Sequence, residues 1–124
     1  MGSDFSKLKE RWRTEQADRA RRSIELRRLV DERAIPVLRR YGACKVYLFG
    51  SVAAGTAGPR SDIDMLAMPV AAEAFWCLRR DLEAALGQRL DLYTQRDDPE
   101  FVRKIMERGE LIYEVQPGAS EGGC

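Results

Sequence analysis

Histidine is absent from this 124-residue chain, and its three cysteines, Cys44, Cys77 and Cys124, are far apart and odd in number. With no CxxC pair and no imidazole, the usual ligands of a zinc site are missing. Unpaired cysteines point to a reducing cytoplasm. No apolar run approaches the roughly 20 residues that span a bilayer, and the charged N-terminus does not read as a signal peptide. Nor does one sign of charge dominate. Lys and Arg number 21 against 20 Asp and Glu, for a net charge of +1. Global charge therefore steers the chain toward neither nucleic acid nor acidic substrates. No internal repeat is present.

What remains is the composition of one soluble globular domain. Hydrophobic residues make up 44% and charged residues 33%. A small sheet with helices on it buries enough at this length without disulfides or structural metal. Residues from about Ser6 to Arg40 read as a long helix, capped by Ser6 and uninterrupted until Pro36, which either kinks it or starts a second helix ending at Gly42. From Lys7 to Arg33 there are ten Lys/Arg against six Asp/Glu. Apolar residues are sparse early (Leu8, Trp12, Ala17, Ala20) and denser later (Ile24, Leu26, Leu29, Val30). Four strands are expected, at Lys45–Phe49, Asp62–Met68, Arg89–Thr94 and Leu111–Val115. Between them come a short helix at Ser51–Ala54 closed by Gly55, an amphipathic helix at Val70–Leu86 ended by Gly87, and a helix from Asp98-Pro99 to Arg108. The implied organisation is a basic helical extension (1–34), a compact domain (35–116) and a small-residue tail (117–124) expected to be disordered.

The chemistry concentrates in one stretch. Gly50-Ser51 follows the apolar run Val46-Tyr47-Leu48-Phe49. Glycine lets the backbone approach a bulky anion. Ser51 opens a short helix whose free N–H groups favour phosphate, and its hydroxyl adds a donor. Next comes Ser61-Asp62-Ile63-Asp64. On a strand, Asp62 and Asp64 point to one face while Ile63 points into the core. Two adjacent carboxylates repel unless a cation lies between them. Magnesium prefers such oxygen ligands and completes its shell with water and substrate phosphate. Asp91, between Leu90 and Leu92, shares a face with Tyr93. If its strand neighbours the second, it joins Asp62 and Asp64, and three carboxylates suffice for a two-metal site.

The ordered pattern Gly50-Ser51-x-Ala53-x-Gly55-x5-Ser61-Asp62-Ile63-Asp64, followed by Asp91, resembles the nucleotidyltransferase superfamily typified by DNA polymerase β. The small size and the segment Ile105-Met106-Glu107-Arg108-Gly109-Glu110-Leu111-Ile112-Tyr113 resemble its minimal nucleotidyltransferases. The likeness covers roughly Val37 to Glu114. It implies an α+β nucleotidyltransferase fold, a small mixed sheet of about four strands flanked by helices. It implies Mg²⁺ and NTP binding, with AMP transfer from ATP as the reaction. Gly50, Ser51 and Ser61 would bind the nucleotide; Asp62, Asp64 and Asp91 would be the catalytic metal ligands. Many such proteins resemble the antitoxin of bacterial HEPN/MNT pairs, which adenylylates a tyrosine of a HEPN ribonuclease toxin. A HEPN toxin is therefore the implied partner.

The departures are specific. Family members often read Gly-Ser-Arg-x-Arg-Gly, whereas this chain has Val52 and Ala54 at the arginine positions. Arg60 is the nearby candidate for a partial substitute, although a basic loop residue is more often simply solvated. The missing arginines keep open an antitoxin that neutralises by binding alone. A small-molecule (antibiotic) nucleotidyltransferase is the other alternative, and it usually needs a second domain or a dimer to hold its acceptor. Leu8 and Trp12, one turn apart and rimmed by charge, read as a docking anchor for a partner or a second copy. No aromatic interleaving or DNA-binding motif argues for nucleic acid.

Overall fold

The computed structural model describes residues 2–116. The chain opens on α1 (Gly2–Leu29), runs without a break through a wide π-helical turn (Val30–Ala34), and continues as α2 (Ile35–Arg40). Pro36 explains the wide turn. Its ring has no N–H to donate and would press on the carbonyl four residues back, so an ordinary α-turn cannot run through it. Pro36 sits in the first turn of α2, as expected of a proline that starts a second helix, and the wide turn joins that helix to α1 without a break.

After α2 come β1 (Lys45–Phe49), α3 (Gly50–Ala54), β2 (Ile63–Met68), α4 (Phe75–Leu86), β3 (Leu90–Tyr93), α5 (Pro99–Arg108) and β4 (Glu110–Glu114). The sheet order is β3-β2-β1-β4. β1 is antiparallel to both β2 and β4, and β2 is parallel to β3. This is the expected mixed α+β sheet of four strands. The expected helix from Val70 starts late. The Gln95 side chain takes both the N–H and the C=O of Val70, Ala71 is extended, and Ala72–Ala74 form a single 3₁₀ turn before α4. Asp98 caps α5 as its sequence position suggests, accepting from the Phe101 N–H at 3.1 Å. The tail from Pro117 to Cys124 lies outside the described residues. Cys44 is a free thiol.

Strand alternation divides the sheet into two unequal faces. Val46, Leu48, Ile63, Met65, Ala67, Leu90 and Leu92 face the main core, where they meet Leu26, Val30, Ala34 and Leu38 from the helical arm and Leu78, Leu82 and Leu86 from α4. Tyr47 and Leu66 face the other way, packed against Val102 and Ile105 of α5, with Phe49, Met68 and Tyr93 alongside. Asp64 sits between Ile63 and Met65, and Asp91 between Leu90 and Leu92, so both belong to this second face.

α1 has two halves of different character. Every residue from Ser6 to Arg21 is exposed. Ser23 is buried and accepts from the Ala57 N–H at 2.9 Å, tying the helix to the loop after α3. Leu26 and Val30 are fully buried, each worth about 1.5–3 kcal/mol over exposure. α1 is about 42 Å long at 1.5 Å per residue, and its Glu15, Asp18, Arg19 and Arg22 flank Ala57 and Pro59. Leu8 and Trp12 remain 61% and 60% exposed.

Removing residues 1–20 is therefore expected to leave the melting temperature nearly unchanged, whereas Leu26→Ala should cost about 2–5 kcal/mol. Thermal and urea melts of the two variants check this. A large fall in stability on truncation would mean that the arm packs on the domain.

Candidate functional site

The site is assembled where the N-terminal ends of β2 and β3 meet the turn out of β1. The parallel register of β2 and β3 sets Asp64 directly opposite Asp91, and the antiparallel register of β1 and β2 sets Phe49 opposite Asp64. Chain direction must reverse out of the extended Phe49 into α3, and Gly50 makes that turn at φ +74°. A side chain here is excluded twice. The left-handed backbone disfavours one, and a Cβ on Gly50 would lie 2.1 Å from Asp64 Oδ2. The backbone of the Gly-Ser turn thus rests against the central carboxylate.

Asp64 is half-buried among like charges. Burial first, then a hydrogen bond shared with Asp91 and the negative charges of Asp91 and Asp62, push its carboxyl up to about 6. Tyr93, two residues beyond Asp91 on the same face, has its hydroxyl pKa raised by burial and by the charges of Asp91, Asp64 and Asp97. It therefore stays a neutral donor at the margin of the site. Tyr93 also stacks in an aromatic cluster with Phe49 and Phe101, ring centroids 5.6 and 5.0 Å away, which walls the carboxylates on one side.

Asp62 lies one residue before β2 rather than on it, and its carboxylate pairs with Arg89 at 3.6 Å. Arg89 immediately precedes β3, and its carbonyl accepts from the Ile63 N–H at 3.1 Å, so the parallel pairing carries it to Asp62. Ser61 Oγ accepts from the Gly58 N–H at 2.7 Å and closes the 58–61 turn. Ser51 is half-buried at the start of α3, and its carbonyl accepts from the Thr56 N–H at 2.9 Å. Val52 is buried in the main core, and Ala54 is exposed.

The structure therefore joins Gly50, Asp64 and Asp91 directly, brings Asp62 within electrostatic reach, and leaves Ser51 and Ser61 on the flanking turns. Among the described residues, no group of three or more Asp, Glu, Cys or His side chains already stands in a metal-holding arrangement. The donors still fit a hard cation: all are carboxylate oxygens, and their mutual repulsion at Asp64 is what a divalent ion would relieve. Alternation already sets Tyr93 on the face of Asp91, whereas Arg89 acquires its place beside Asp62 through strand pairing and alone is an ordinary surface residue.

The family model described as polymerase beta, nucleotidyltransferase, matches residues 32–117. A crystal structure of a toxin–antitoxin with AMP-PNP superposes with a TM-score of 0.56 at 31% identity, covering 66% of this chain and 71% of that one. A mutant of the toxin–antitoxin MntA-HpeT gives 0.55 at 28% identity, with coverage of 66% and 71%. A structure described as that of a minimal nucleotidyltransferase gives 0.54 at 30% identity, covering 61% of this chain and 82% of its own. No curated protein matches significantly.

The raised Asp64 carboxyl makes a signed prediction. Its folded-state value of about 6 exceeds the ordinary 3.8, so between these values the folded state holds more protons than the unfolded one. Stability should fall as pH rises through this window, and the cost is complete above it. Asp64→Asn should raise the melting temperature near pH 7.5, with the gain vanishing below about pH 4. Melts across this range check both arms. Gly50→Ala should destabilise the fold and distort the site at every pH.

Proposed function

The chain belongs to the polymerase beta nucleotidyltransferase family, and on that premise we propose that it transfers AMP from ATP to a tyrosine hydroxyl of a HEPN ribonuclease toxin, acting as the antitoxin. The observation that carries the reading is the Asp64–Asp91 pair set against the Cβ-less Gly50 turn. The likeness to toxin–antitoxin crystal structures, one with AMP-PNP, supports it. The acceptor oxygen attacks the α-phosphorus, an O–P bond forms, and the bond to pyrophosphate breaks. Asp91 takes the hydroxyl proton.

Gly50 and Ser51 hold the nucleotide's phosphates, with Ser61 on the facing turn. Asp64 and Asp91 are the inner carboxylates for Mg²⁺, and Asp62 completes the set. Magnesium bound there supplies positive charge to the triphosphate and acidifies the attacking hydroxyl. The Asp62–Arg89 pair is a small obstacle to that role. Arg89 is largely exposed, and pairs of this kind contribute at most about 1 kcal/mol. Positioning and charge neutralisation are most of what phosphoryl-type transfer asks of a protein.

The N-terminal arm supplies the docking surface in this reading. Leu8 and Trp12 share one exposed face of a helix otherwise lined by charge, and tryptophan is a favoured anchor at protein interfaces. Binding without catalysis is the second reading. It is favoured by Val52 and Ala54, which leave α3 without a cationic side chain.

Incubating the antitoxin–toxin pair with ATP and Mg²⁺ tests the assignment. The released toxin should be inactive and heavier by one or more AMP units. The Asp62→Asn/Asp64→Asn double variant should fold normally and add none. A toxin that regains activity on separation with unchanged mass would establish masking instead. Removing residues 1–20 should weaken assembly, read by size exclusion, while Mg²⁺-ATP binding persists.

A further inference from the structure

A groove of about 470 Å³ runs between α3 and α5, with Gly50 in its lining. Gly50, Ala53 and Ala54 line one wall, and Lys104 and Arg108 line the other, with Glu110 at one end. The backbone of Gly50 touches Asp64. Gly50 therefore belongs to both the groove and the carboxylate site.

Its electrostatics are one-sided. Arg103, on the same helix, is held by Glu100 and Glu107. Glu110 is occupied by Arg27. Lys104 and Arg108 have no carboxylate partner within salt-bridge distance among the described residues. They lie one helical turn apart, so they present two cations to one face. Apolar Ala53 and Ala54 face them and offer neither a competing anion nor a clash.

The opposite wall cannot supply that charge. α3 has five residues, too few for a substantial macrodipole. Its Val52 is turned into the core and its Ala54 is apolar. An extended polyanion leaving the Gly50 turn along this groove would meet positive charge on Lys104 and Arg108. We infer that Lys104 and Arg108 bind the triphosphate tail of the nucleotide, so that α5 provides the cationic wall α3 lacks. The inference rests on the nucleotidyltransferase reading above and deepens it by naming the residues that select a triphosphate.

The test compares ATP and adenosine binding by calorimetry, with Mg²⁺ present, for the full chain and for Lys104→Gln/Arg108→Gln. Both side chains are exposed, so the double variant should melt like the parent. ATP affinity should fall about tenfold or more, adenosine affinity should not change, and the salt dependence of ATP binding should flatten. Adding Ala54→Arg to the double variant should restore much of the ATP affinity, because position 54 lines the same groove. Equal ATP affinity in parent and double variant would overturn the α5 assignment while leaving the enzymatic reading standing. A parent that binds no nucleoside triphosphate would overturn both.

Discussion

The contact on which this molecule's site depends is the Asp64 carboxylate lying against the bare Cα of Gly50 and opposite Asp91. Three constraints meet at that point. The parallel register of β2 and β3 puts two acids side by side. Antiparallel pairing of β1 and β2 brings the end of β1 to the same level. The left-handed turn at Gly50 then aims α3 past the carboxylate. A Cβ at position 50 would collide with Asp64, and a one-residue slip of β2 would bury the acid in the main core. The like charges make the arrangement costly on its own.

The scaffold pays little attention to the second face of the sheet beyond what the site needs. Most of the apolar mass lies on the main-core face, where α4 and the buried half of the helical arm pack. The second face has a smaller cluster built on Val102 and Ile105 of α5. α5 thus stabilises the sheet through two buried residues while its exposed edge, with Lys104 and Arg108, borders the groove at Gly50. The helical arm is divided similarly, with Leu26 and Val30 anchored in the core and residues 6–21 exposed.

How much of this could be read from the chain follows from the range of each interaction. The strands were legible because alternation is local: Val46, Leu48, Ile63, Met65, Leu90 and Leu92 carry the main core. Helix ends were legible where a cap or glycine marks them, as at Asp98 and Gly87. The start of α4 was not, because the competing partner of Val70 is Gln95, 25 residues away. Pro36 announced a disturbance, but not that a wide turn would absorb it. Alternation placed Asp64 and Asp91 on particular faces of their strands; that they meet depends on which strands are neighbours. Arg89, Lys104 and Arg108 acquire their surroundings wholly through tertiary pairing, so no local pattern marks them.

The central claim is that Asp64 is held at the centre of a repulsive carboxylate cluster that a divalent cation and nucleotide relieve. Carbon-13 NMR titration of the Asp64 side-chain carboxyl measures it directly. The account predicts a midpoint near 6 in the free protein, shifting down by about one unit or more when Mg²⁺ and a non-hydrolysable ATP analogue are added. A midpoint near the ordinary 3.8, unmoved by Mg²⁺ and nucleotide, would contradict it.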